Sequence, residues 1–138
     1  MADIEQLTAD VLAALEELPG LTVDDGYVPR ALPETGGYVD PYVILWAGLG
    51  DNPPELTACG TQGTDTLIWD FQTTAVGADA GICRAVARDV DAKLTNLPAG
   101  TGKIRRNPDG FNQQSPILDT QTSPARFMLP LQWRLITN

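Results

Sequence analysis

Residues 126–137 read Arg-Phe-Met-Leu-Pro-Leu-Gln-Trp-Arg-Leu-Ile-Thr and decide the fold class. Every second side chain from Phe127 to Leu135 is large and apolar, and this period of two is typical of a β-strand with one buried face. Pro130 lies inside the run and has no N–H to donate, so it predicts an edge position or a bulge. A strand of this length needs neighbouring strands and a cover for its apolar face.

Two further stretches predict such neighbours. Residues 42–47, Tyr-Val-Ile-Leu-Trp-Ala, are mostly β-branched or aromatic, which indicates a strand buried on both faces or nearly so. Residues 66–76 alternate between apolar and polar side chains, which favours a strand with one face in water. Shorter strands are predicted at 21–23 and 103–106. The three tryptophans of the chain, which fall within strands, are predicted to be core residues: Trp46, Trp69 and Trp133.

Two helices are predicted by apolar side chains that recur every three or four residues. Asp3 is the expected N-cap of the first, with Gln6 completing a capping box, and Asp79 is the expected N-cap of the second. Asp89 and Lys93, one turn apart, are expected to form an ion pair. The apolar stripes comprise Ile4, Leu7, Val11, Leu12, Leu15 and Leu18 in the first helix, and Cys83, Val86, Ala87, Val90, Leu94 and Leu97 in the second.

These elements follow the order α-β-β-β-α-β-β within 138 residues, a length that suits one domain. The sequence therefore predicts a single domain, residues 1–138, of the α+β class. Its expected architecture is a mostly antiparallel sheet with two helices packed on one face.

Charge and composition exclude several classes of protein. The net charge is −9 and the few Lys and Arg residues are scattered along the sequence, whereas a DNA-binding module needs a basic patch. An acidic membrane surface is an equally poor partner, and the longest apolar run is too short to span a bilayer. The N-terminal residues lack the basic region of a signal peptide. Cys59 and Cys83 could form a single disulfide, but two buried, reduced thiols in the cytoplasm are the expected state.

Reactive side chains are scarce. The chain has no His, so neither a Ser-His-Asp triad nor a Cys-His dyad can be built. Gly100-Thr-Gly-Lys103 departs from the P-loop pattern, because position 97 is Leu and position 104 is Ile. Asp24-Asp25 precedes Gly26 and favours a turn over a metal site. We therefore expect no catalytic residue, no metal ligand and no cofactor, and predict that the protein is not an enzyme.

Three irregular segments, 24–41, 48–65 and 107–124, are longer than most loops in compact domains, and such loops are often functional. Apolar side chains on them either reach neighbouring subunits or fold back onto the domain. Arg84 and Arg88 lie one turn apart on the polar face of the second helix, where they are either solvated or bind an acidic neighbour. The candidate interface residues are Tyr27, Arg30, Tyr38, Arg84, Arg88, Phe111, Ile117 and Leu118.

The order of these elements resembles a known family. An amphipathic helix leads through a Gly/Pro-rich loop to the strand at 42–47, then to an alternating strand with Trp69-Asp-Phe71, a second helix at 79–97 and the closing strand at 126–135. This layout resembles the tail terminator proteins of long-tailed, non-contractile bacteriophages over nearly the whole chain. Related head-to-tail neck proteins share a similar layout.

The resemblance implies a structural role. Such subunits form a hexameric ring on the finished tail tube, end its polymerisation and offer a docking face to the head. The implied partners are copies of the chain itself, the major tail tube protein and head-tail connector proteins, while DNA passes through the ring without specific binding. The implied location is the head-proximal end of the virion tail, after assembly in the host cytoplasm, and the family has no catalytic residues.

Three alternatives stay open at this point. The chain could be a neck protein that completes the head, a monomeric α+β domain that binds a small ligand or peptide, or a hydrolase whose carboxylates converge in the fold. Oligomeric state separates the ring-forming proteins from the other two classes. Binding to tail-tube ends separates a terminator from a neck protein.

Overall fold

A computed structural model describes residues 2–29, 32–52, 55–56, 62–63 and 66–138, with the backbone alone at 55–56 and 62–63. The two helices are α1 (Ile4–Glu16) and α2 (Ala80–Leu94). The strands are β1 (Thr22–Asp25), β2 (Glu34–Thr35), β3 (Tyr38–Val39), β4 (Tyr42–Ala47), β5 (Glu55–Leu56), β6 (Gln62–Gly63), β7 (Leu67–Gly77), β8 (Pro98–Ala99), β9 (Gly102–Lys103), β10 (Arg105–Arg106), β11 (Ile117–Asp119) and β12 (Arg126–Thr137).

The main sheet has the order β1-β4-β7-β12, and both β10 and β11 pair with the outer edge of β12. Only the β1–β4 pair is parallel. The β7–β12 ladder is the longest and runs in register from Leu67 opposite Thr137 to Gly77 opposite Phe127. The remaining strands form the small hairpins β2–β3, β5–β6 and β8–β9. The long antiparallel pair therefore organises the domain.

Both helices cover the same face of this sheet. Alternate residues of β7 and β12 point toward α1 and α2, where Trp69 and Trp133 are fully buried. The apolar stripe of α2 fills the space above these strands with Cys83, Val86, Ala87, Val90 and Leu94. The predicted α+β class, with a mostly antiparallel sheet and two helices on one face, is confirmed.

The other face of the sheet is only partly covered. Val39, Tyr42, Ile44 and Val76 form a second apolar cluster, joined by Leu32 from the segment before β2. The segment that contains Leu32 covers this cluster, which explains why β4 is buried on both faces from position 42 to 45. Beyond it Trp46 is 38% exposed, so the prediction that all three tryptophans are core residues is wrong for this one.

Pro130 marks no bulge, because β12 pairs with β7 along its whole length, but it takes the predicted edge position locally, on the outer side of β12. The Gln132 carbonyl accepts a hydrogen bond from the Asn107 N–H on the outer side of β12, at 2.9 Å. Backbone groups two residues apart point the same way, so the proline nitrogen also faces outward. It meets the gap between the segments of β12 that pair with β10 and β11. The missing N–H therefore costs no bond to β7.

Asp3 and Asp79 are the N-caps of the two helices, as predicted. The capping box is wrong, because the Gln6 amide donates to Asp10 instead. The expected Asp89–Lys93 pair is also replaced: Lys93 forms an ion pair with Glu17 and so ties α2 to the end of α1.

Asp79→Ala is expected to lower the free energy of unfolding by about 1 kcal/mol, because the Asp79 Oδ1 accepts the Ile82 N–H at 2.8 Å. Urea unfolding followed by circular dichroism would measure the change. Asp89→Ala is the matched control, since Asp89 is an exposed residue inside the same helix. Equal effects of the two substitutions would contradict the capping role.

Two local predictions are corrected. Asp24 and Asp25 belong to β1 and not to a turn; the turn follows at Gly26, whose φ is +74°. The predicted strand at 103–106 is split into the end of β9 and β10, with Ile104 fully buried between them. Gly100-Thr-Gly-Lys103 supplies the turn and the second strand of the β8–β9 hairpin, which follows α2.

None of the described helices is long and apolar enough to cross a membrane. Cys83 is a buried free thiol, while Cys59 lies outside the described residues.

Candidate functional site

An arginine-lined groove runs between α2 and the loop that joins β10 to β11. Arg84 and Arg88 from the helix and Arg106 from β10 line it, above an apolar floor that includes Leu129 and Leu131. Its volume is about 280 Å³. We call this site the arginine groove. It brings together both arginines predicted from the helix and adds a third that lies 18 residues farther along the sequence.

The helix positions the first two arginines. Buried residues of α2 occupy one face, and Arg84 and Arg88 are exposed on the flank of the helix that borders the groove, one turn apart. Neither has a carboxylate partner in the described part of the chain. Two free guanidinium groups at this spacing suit a planar, acidic ligand or a carboxylate on a protein surface.

The third arginine is positioned by the sheet. Arg106 lies opposite Trp133 in the β10–β12 ladder, and its guanidinium carbon is 5.5 Å from the centre of the Trp133 ring. It also contacts Asp91 at 3.5 Å and the Asn112 side chain at 3.3 Å. These contacts hold Arg106 at the junction of the groove with a neighbouring cleft. Arg106 could not be selected from the sequence, because its place beside Trp133 depends on the pairing of β10 with β12.

The neighbouring cleft, of about 480 Å³, contains Phe111, which is 58% exposed. The Asn107–Gly110 turn forms its wall, and a Cβ added at Gly110 would lie 2.8 Å from the Gln132 Cβ. Glycine is therefore needed at this close approach. The cleft places Phe111 beside Arg106, so one apolar residue predicted for the interface joins the cationic ones.

The other predicted interface residues are dispersed. Ile117 and Leu118 lie on β11 and are 39% and 54% exposed. Tyr27 follows β1 at the opposite edge of the sheet, and Tyr38 opens β3; they are 57% and 70% exposed. These side chains do not fold back onto the domain. Arg30 lies outside the described residues.

The uncovered sheet face carries a polar surface that the sequence did not single out. The Gln132 amide donates to the Gln72 side chain at 2.6 Å, and Arg134 binds Asp70 through two bonds of 2.8 and 3.0 Å. Arg134 also donates to Asp109, and the two carboxylates raise the pKa of its guanidinium. Asp70 and Arg134 face each other in the β7–β12 ladder, and opposite charges at facing positions predict an ion pair. This prediction needs the register of the two strands, which the sequence does not contain.

A buried cluster lies where β11 meets β12. Arg126 donates to Asp119 at 3.1 Å and to the Tyr42 hydroxyl. The Gln121 N–H and then Arg126 lower the pKa of the Asp119 carboxyl, while burial raises the pKa of the Tyr42 phenol. The arrangement pairs a buried charge completely and therefore serves stability.

The described residues offer binding more readily than catalysis. Burial raises the pKa of the Cys83 thiol to about 11, so it stays protonated and is a poor nucleophile. No cluster of three or more metal-ligating side chains occurs within the described ranges. The arginine groove and the exposed apolar loop residues are suited to contact with another protein.

No protein-family model and no curated protein matches this sequence. One solved structure, whose title describes no function, has a TM-score of 0.52 at 15% identity and covers 97% of this chain and 96% of its own. Another, a chain of the virion of a native gene transfer agent particle, has a TM-score of 0.44 at 18% identity, with 96% and 90% covered. The first likeness establishes a shared fold.

Proposed function

We propose that this chain is a structural protein of a phage-type virion. It assembles as a closed ring on the head-proximal end of a tail tube, ends polymerisation of the tube and provides the surface to which the head is joined. Its partners are other copies of itself, the major tail tube protein and head-tail connector proteins. It performs no chemistry.

The observation that carries this proposal is the resemblance in element order, which extends over nearly the whole chain. The fold has the N-terminal helix, the strands β4, β7 and β12, and the intervening helix α2 in the order expected of a tail terminator. The long loop segments also present exposed apolar residues, among them Tyr38 and Phe111. Such exposed apolar residues favour a protein whose surface is partly buried by neighbouring subunits.

A ring requires two different patches on each subunit, because a head-to-tail contact joins unlike surfaces. The arginine groove at the β10 edge and the exposed Tyr27, which follows β1, are two such surfaces on opposite edges of the sheet. The net charge of −9 suits a ring through which DNA passes, because acidic surfaces repel phosphates over about 8 Å at physiological ionic strength.

The test is to mix the purified protein with preformed tubes of its tail-tube subunit and to image them by negative-stain electron microscopy. We expect closed rings at tube ends and no further elongation when tube subunits are added. Light scattering of the protein alone should show growth with concentration toward six copies of 14.8 kDa each.

Two results would reject the proposal. One is a protein that stays monomeric at all concentrations and leaves tube ends bare. The other is turnover of a substrate that is lost when a single carboxylate is removed. Rings that bind a head connector but ignore tube ends would assign the chain to the neck proteins.

A further inference from the structure

Within the part of the chain that the structure describes, the cations without a carboxylate partner are gathered at one edge of the sheet. Eight of its nine Lys and Arg residues lie in the described ranges, and four of these eight are paired with carboxylates. The other four, Arg84, Arg88, Lys103 and Arg105, have no carboxylate partner there. Arg84 and Arg88 line the arginine groove, whereas Lys103 and Arg105 line a further cleft beside β10, to which Arg106 also contributes. With Arg106 they form a surface that we call the basic edge.

The opposite edge is acidic. Residues 1–29 contain seven Asp and Glu and neither Lys nor Arg. Glu5 and Glu16 are separated by three helical turns, so they share one flank of α1, whereas Glu17 is turned toward α2 by its ion pair. Asp24 and Asp25 lie in β1, whose outer side pairs with no described strand. We call the exposed carboxylates Glu5, Glu16 and Asp25 the acidic edge; none of them forms an ion pair within the described residues. Asp24 is not counted, because its Oδ2 is buried.

We propose that the basic edge of one copy binds the acidic edge of a second copy, and that this contact joins the subunits of the ring. The inference rests on the proposed ring function and specifies its interface. Arginine binds carboxylates through charge-assisted hydrogen bonds, and each edge offers the groups that the other lacks. The two edges lie on opposite sides of one sheet, so each copy can contact two neighbours at once and the contact is heterologous.

Charge complementarity selects a second copy as the occupant. Each copy carries both the basic and the acidic edge. Every other copy of the chain is therefore a complementary partner, present at the same concentration. Two negative edges cannot pair, and neither can two positive ones, so the charges also exclude a symmetric dimer through either surface. The contact is expected to weaken in 1 M NaCl, where the Debye length is about 3 Å.

The test uses two charge-reversed variants of the full chain. The basic-edge variant carries Arg84→Glu and Arg88→Glu, and the acidic-edge variant carries Glu5→Lys and Glu16→Lys. All four positions are exposed on helices, so the fold should tolerate them. The matched control, Asp10→Lys with Asp89→Lys, makes the same change in charge as the acidic-edge variant but lies outside both edges. Circular dichroism verifies folding, and sedimentation velocity measures assembly.

We expect each edge variant alone to associate at least about 100-fold more weakly than the wild type, because like charges then face each other. The control should assemble normally. An equimolar mixture of the two edge variants should recover association, since the intact acidic edge of one meets the intact basic edge of the other.

If the wild type forms rings and either edge variant assembles equally well, this interface is wrong. The proposed ring function would not be affected by that result. Failure of the mixture to associate would likewise overturn the interface. A wild-type chain that never assembles, with or without tail tubes, would reject the ring function itself. Loss of tube binding with intact rings in the basic-edge variant would place an acidic surface of the tube, and not a second copy, on the basic edge.

Discussion

Replacing Trp133 with alanine is expected to lower the free energy of unfolding by about 3–5 kcal/mol. The side chain is fully buried between the sheet and α2, and its Nε1–H donates to the Thr73 hydroxyl at 2.9 Å. Its ring stacks on Phe71, with centroids 6.4 Å apart, and supports the Arg106 guanidinium. The substitution leaves a cavity in the core and removes the hydrogen-bond partner of the Thr73 hydroxyl. Urea denaturation followed by far-ultraviolet circular dichroism would measure the loss.

Trp46→Ala is the matched control, because it removes the same side chain from the uncovered face of the sheet. Trp46 is 38% exposed and bonded to Thr74 at 3.2 Å, so we expect a loss below about 1.5 kcal/mol. Comparable losses in the two variants would mean that the helices do not cover the face that carries Trp133. A loss of 3 kcal/mol or more is a large part of the 5–15 kcal/mol that stabilises a typical domain.

The contrast between these two tryptophans shows how far the sequence could predict the fold. Periodicity gave the main helices and strands, because alternation along β12 or a stripe along α2 is a local property. It could not say which face of β4 the helices would cover, since that depends on which strands become neighbours. Trp46 and Trp69 both lie among apolar residues of predicted strands, so their sequence surroundings do not distinguish them. Trp69 is buried and Trp46 is exposed because they lie on opposite faces of the sheet.

Ion pairs could not be predicted from neighbouring residues in the sequence either, because they also depend on which elements pack together. Lys93 bonds to Glu17, which is 76 residues away, in preference to the nearby Asp89. The sequence suggested Arg84 and Arg88 through their helical spacing but gave no sign of Arg106 or of the polar pairs between β7 and β12. Arg106 is far from Arg84 and Arg88 in sequence but lines the same groove, because β10 lies beside α2 in the fold.

Asp119→Ala is expected to destabilise the protein by about 3–5 kcal/mol, more than removal of its partner would. The Arg126 side chain is only 8% exposed, and loss of the carboxylate leaves its buried charge with the Tyr42 hydroxyl as a partner. In Arg126→Met the carboxylate that remains is 16% exposed and can turn toward water, so we expect about 1–3 kcal/mol. The double variant should lose less than the sum of the two single variants.

Acid should remove part of this stability. The Gln121 N–H and Arg126 hold the pKa of Asp119 below its unfolded value of about 3.9, so the folded state favours the charged form. Its contribution is therefore complete above the unfolded pKa and is lost as the pH falls through the folded one. Asp119→Asn cannot titrate and keeps one oxygen acceptor in place of the two that receive the Gln121 and Arg126 N–H groups. The stability difference between this variant and the wild type should therefore shrink below about pH 4. A constant difference between them from pH 7 to pH 3 would show that the charge of Asp119 contributes nothing, and that its oxygen atoms act only as hydrogen-bond acceptors.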